Sequence, residues 1–68
     1  MDATPIHGDF VIESLRDDYF TVRREGVDRR GVRKFNTFEA ATAYALEAAY
    51  SGDARTFLKR TDGYLCLD

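Results

Sequence analysis

The sequence has no tryptophan and only one histidine, one cysteine, one methionine and one proline, and each scarcity closes a route. A lone Cys66 cannot form an internal disulfide, which points to a reducing compartment and a cytoplasmic protein. His7 and Cys66 are too few to build a zinc site, so no metal is expected. No apolar run approaches the roughly 18 residues of a transmembrane helix. Residues 1–9 carry Asp2, Asp9 and Pro5 without an apolar core, so they do not read as a secretory signal.

What is present is the composition of a globular domain: 68 residues, 44% hydrophobic and 32% charged. At 7.8 kDa the chain forms one domain over residues 1–68, with 1–9 as a loose N-terminal segment because Pro5 and Gly8 interrupt it. A chain of this size buries only about 60% of its unfolded surface, so its stability margin is thin.

Alternation of side chains predicts a first strand over Phe10–Arg16, a turn at Asp17-Asp18, and a second strand over Tyr19–Arg24 with Phe20 and Val22 inward. Gly26 suits the positive φ of a reversal over 25–28. A more polar third strand is predicted over Arg29–Phe35. Residues 37–50 hold six alanines and neither glycine nor proline, and predict a helix capped by Asn36, with Glu39 completing a capping box. Gly52 is placed for a left-handed C-terminal cap. On a helical wheel, Phe38, Ala41, Thr42, Ala45, Ala48 and Ala49 gather on one side, small enough for close approach to a sheet. A fourth strand over Ala54–Arg60, the hairpin signal Thr61-Asp62-Gly63 and a closing strand over Tyr64–Leu67 complete the order β-β-β-α-β-β. The expected fold is α+β: a mostly antiparallel sheet of about five strands with one helix packed on one face.

Over residues 16–68 the hairpin Tyr19–Phe35, the helix start Asn36-Thr37-Phe38-Glu39-Ala40 and the turn Asp62-Gly63 resemble a family of small bacterial domains of this layout, to which no activity is assigned. In size and architecture the chain is also similar to phage anti-CRISPR proteins. That likeness implies a non-catalytic inhibitor that occludes a surface of a host complex, in the host cytoplasm.

Charge is unevenly distributed. Arg23, Arg24, Arg29, Arg30, Arg33 and Lys34 fall within residues 23–34, which carry a net +4, while the remainder carries −6. A basic hairpin on an acidic molecule is a candidate docking surface, because the arginine fork suits carboxylate and phosphate alike. The competing account is a solvated hairpin whose arginines guard a sheet edge and pair with Glu13, Asp17 or Asp18. Of the two docking partners, an acidic protein surface is favoured over nucleic acid, since the pI of 5.3 is far from the basic footprint of a dedicated nucleic-acid binder. Tyr19, Tyr44 and Tyr64 are expected at the rim of this surface, where tyrosines serve interfaces or cap a core. Tyr44 and Tyr50, beside Ala40, Ala43 and Glu47, offer a helix face for homodimer formation. The five phenylalanines are expected in the core.

Catalysis has little support. His7 lies in the loose segment, Cys66 sits among leucines, and Gly26 and Gly31 lack the phosphate-loop spacing, so neither a catalytic residue nor a cofactor is expected. The sequence therefore reads as a protein-interaction module, with a nucleic-acid-binding accessory domain as the alternative.

Overall fold

The computed structural model of the protein describes residues 4–27 and 31–67. Along the chain run β1 (Phe10–Arg16), β2 (Tyr19–Arg24), β3 (Arg33–Phe35), α1 (Phe38–Ser51), β4 (Thr56–Arg60) and β5 (Gly63–Cys66). The five strands form one sheet in the order β3-β2-β1-β4-β5. Three pairings are antiparallel, as short turns dictate, and β1 pairs with β4 in parallel, Phe10 opposite Thr56 and Glu13 opposite Lys59. The parallel pair arises because α1 carries the chain back across the sheet from the β3 edge, so that β4 sets out in the direction of β1.

The helix covers the face that bears Phe10 and Ile12 of β1 and Phe20 and Val22 of β2; Ala41, Ala45 and Ala49 complete this core. Their four-residue spacing places three methyl groups in a row, which lets the helix backbone approach the sheet. It comes close enough for the Thr56 hydroxyl on β4 to donate to the Ala45 carbonyl at 3.4 Å. Val11 and Phe57 are also fully buried, although alternation turns them to the opposite face. Over Phe57 lie the Arg55 guanidinium, 5.3 Å from the ring centroid, and the edge-on ring of Tyr64.

Several sequence expectations shift. Thr37, not Asn36, caps the helix: its hydroxyl accepts from the Ala40 amide at 3.1 Å, so Glu39 stands one position short of a capping box. At the other end Gly52 has φ −99°, and the left-handed residue is Asp53 at φ 57°. The Asp53 amide bonds the Tyr50 carbonyl and the Ala54 amide the Ala49 carbonyl, the paired bonds of a Schellman motif. The third strand is paired only over Arg33–Phe35; Gly31 and Val32 precede it outside the sheet, and Arg29 and Arg30 lie outside the described residues. Phe38 is 40% exposed: it stands in the first turn of α1, its ring 5.9 Å from that of Phe20.

Of the segment expected to be loose, residues 5–9 are tied down. Pro5 is buried, and the Asp9 carboxylate, 5% exposed, accepts from the amides of Ile6 at 3.0 Å and Arg55 at 3.2 Å. The amides of Gly8 and Glu25 bond across to the carbonyls of Glu25 and Asp9. This turn extends the β1–β2 ladder beyond Phe10.

Candidate interaction surface

Strand alternation divides the basic hairpin between the two faces of the sheet. Arg33 stands opposite Val22, on the helix side, and Lys34 opposite Thr21, on the other. Arg24 shares the helix side with Phe10, its register partner, while Arg23 faces away with Val11. The four cations among the described residues therefore do not form one patch. Arg23 and Lys34 occupy the back of the sheet, Arg24 and Arg33 the front, and Arg29 and Arg30 lie outside the described residues.

On the back, Arg23 donates to Glu25 at 2.6 Å, and this bond holds the guanidinium pKa above its ordinary value, with Tyr64 and Glu13 acting in the same direction. Glu13 pairs instead with Lys59 at 3.6 Å. Lys34 is exposed on the β3 edge. Tyr19 lies under the Arg16 guanidinium, 5.4 Å from its ring centroid, and Tyr64 leans on Phe57. Arg23 and Lys59 are thus paired with carboxylates on this face, while Arg16 and Arg55 lie on the rings of Tyr19 and Phe57.

The front is different. The Arg24 guanidinium lies 5.2 Å from the centroid of Phe10 and donates through Nε to the Gly8 carbonyl at 2.9 Å. Its Nη2 also approaches Gly52 at the end of α1, where the last carbonyls of the helix favour a cation. Arg33 lies 5.6 Å from the centroid of Tyr44, whose ring packs on Phe35 at 5.4 Å. Among the described residues neither Arg24 nor Arg33 has a carboxylate within ion-pair distance. Beside Arg24 opens a cavity of about 220 Å³, lined among the described residues by Phe10, Val22, Val27, Gly31 and Tyr44 together with Arg23 and Arg24; Arg33 is linked to it through Tyr44.

The structure thus sets Arg24, Arg33 and Tyr44 on the helix side of the sheet and Arg23, Lys34, Tyr19 and Tyr64 on the other, with Arg23 also bordering the cavity. Phe10 and Val27 belong to the same surface and were missed as site residues. Phe10 has a signal in the sequence, since pairing across the Asp17-Asp18 turn puts it opposite Arg24, whereas Val27 has none. Tyr44 and Tyr50 do not share a face: six helical positions turn one against β3 and leave the other 89% exposed. Among the described residues no three His, Cys, Asp or Glu side chains gather as a metal-holding group, and no helix is long and apolar enough to cross a membrane.

Comparison with protein-family models, with curated proteins and with solved structures returns no match for this chain.

Proposed function

We propose that the chain is a non-catalytic protein-interaction module that meets an acidic protein surface through Arg24, Arg33 and Tyr44. One observation carries the reading. The Arg24 and Arg33 guanidiniums lie on the rings of Phe10 and Tyr44, which with Arg24 line a small cavity, and neither has a carboxylate partner among the described residues. A stacked guanidinium keeps its N–H edges for a carboxylate while its ring neighbour restrains it, so less side-chain entropy is lost on docking. In its specific form the proposal is a small cytoplasmic inhibitor, of the kind phages and mobile elements carry, that occludes part of a host complex by its bulk.

Nucleic acid is the competing partner, since the same forks suit phosphate. The net charge of −2 and the pairing of Arg23 and Lys59 with carboxylates favour protein. The test is affinity capture from the source lysate, with and without nuclease, using the wild-type chain and Arg33→Glu. A protein retained after nuclease and at moderate salt, and lost with Arg33→Glu, supports the proposal. Partners that disappear with nuclease, or whose binding falls steeply with salt, select the nucleic-acid reading.

A further inference from the structure

Arg24 and Arg33 differ from ordinary surface cations in the cavity beside them: Arg24 lines it, and Arg33 lies on the ring of Tyr44, another of its lining residues. Phe10, Val22 and Val27 give the cavity an apolar lining, and Tyr44 closes it toward α1. Its volume of about 220 Å³ exceeds the roughly 150 Å³ that accommodates a benzene ring, so one aliphatic or aromatic side chain fits. The β2–β3 register makes Arg24 and Arg33 diagonal neighbours on one face, with backbones ~7–8 Å apart. An acid alone would satisfy the two cations and leave the apolar lining wet; an apolar side chain alone would leave two charges beside it unmatched. The combination fits a buried anchor inside a charged rim, the arrangement in which interface energy concentrates.

Resting on the acidic-partner reading above, we infer that the cavity takes one apolar side chain from an acidic segment of the partner, while neighbouring carboxylates of that segment meet Arg24 and Arg33. The apolar anchor supplies specificity and the carboxylates supply encounter rate and orientation.

The test uses the full chain, isotopically labelled, titrated at low salt with a synthetic peptide bearing leucine between pairs of glutamates and with its Leu→Ser counterpart. The leucine peptide should shift the amide signals of Val22, Val27 and Tyr44 and bind at least about tenfold more tightly, as burial of one leucine side chain requires. Val27→Ser, at an exposed position, should erase that preference and leave the serine peptide's affinity unchanged; Arg33→Gln should weaken both peptides. Equal affinities of the two peptides in the wild-type chain would overturn the anchor while leaving acidic docking standing. Failure of both peptides to bind would overturn the anchor and the acidic-partner reading together. A single-stranded oligonucleotide that shifted the same signals more strongly than the leucine peptide would overturn both in favour of phosphate.

Discussion

At the end of α1 the left-handed backbone falls on Asp53 (φ 57°), while Gly52, one position earlier, sits at φ −99°. An L-residue pays for the left-handed region, whereas a β-carbon at position 52 would meet only the Ala48 carbonyl oxygen at 3.5 Å and the Arg24 side chain at 3.6 Å, ordinary contacts. Exchanging the two, Gly52→Ala with Asp53→Gly, should stabilise the protein by about 1 kcal/mol. The thermal midpoint, followed by circular dichroism, should rise by roughly 4–8 °C. Asp9 argues in the opposite direction. Its buried carboxylate is the acceptor for the Ile6 and Arg55 amides, so Asp9→Ala removes the partner of both N–H groups in a part-buried turn. A loss of about 2 kcal/mol is expected in urea unfolding, with faster hydrogen exchange at the Arg55 amide. Asp9 was overlooked in the sequence because an acid before a strand signals only a turn. That its two oxygens reach amides 3 and 46 positions away depends on a tertiary approach that no local pattern encodes.

At the scale of elements, α1 shows which part of the wheel was informative. Ala41, Ala45 and Ala49, the centre of the predicted face, are buried, because helical periodicity is rigid and the stripe is made of side chains with no alternative packing. Phe38, at the end of the same stripe, overhangs the sheet. Ala45→Leu should therefore push the helix away from β1 and β4 and cost about 1–3 kcal/mol. Ala43→Leu, on the exposed side, should leave the urea midpoint nearly unchanged, and the contrast between the two midpoints is the check. β3 was the least legible element. Arg33 and Lys34 are polar on both faces, so alternation gave the third strand no inward side and its length was overestimated. The same alternation, applied residue by residue to the hairpin, does separate Arg24 and Arg33 from Arg23 and Lys34. What it lacks is Tyr44, brought beside Arg33 by α1.

At the scale of the whole molecule, the α+β class and the order of elements could be read along the chain, but the neighbour of β1 could not. Both Val11 and Ile12 are apolar, so β1 had two candidate buried faces, and the sequence held no clue that β4 would lie alongside it. The radius of gyration, 10.9 Å, agrees with the ~11 Å expected of a folded chain of this length. Placing β1 in the middle of the sheet has a consequence for how the protein is made. Because β1 precedes β4 in the chain, it waits for its second partner until Thr56–Arg60 has been synthesised, and until then one flank of β1 is open. A chain this small has little stability to spare before its last strands are in place, and its closing contact is long-range, so the nascent chain should fold late and all at once. A fragment of residues 1–51 should accordingly show a collapsed, poorly dispersed spectrum, and a separate peptide of residues 52–68 added to it should restore the dispersed signals of β1. Synthesis order thus makes the last strand pair the switch between a sticky intermediate and a finished domain.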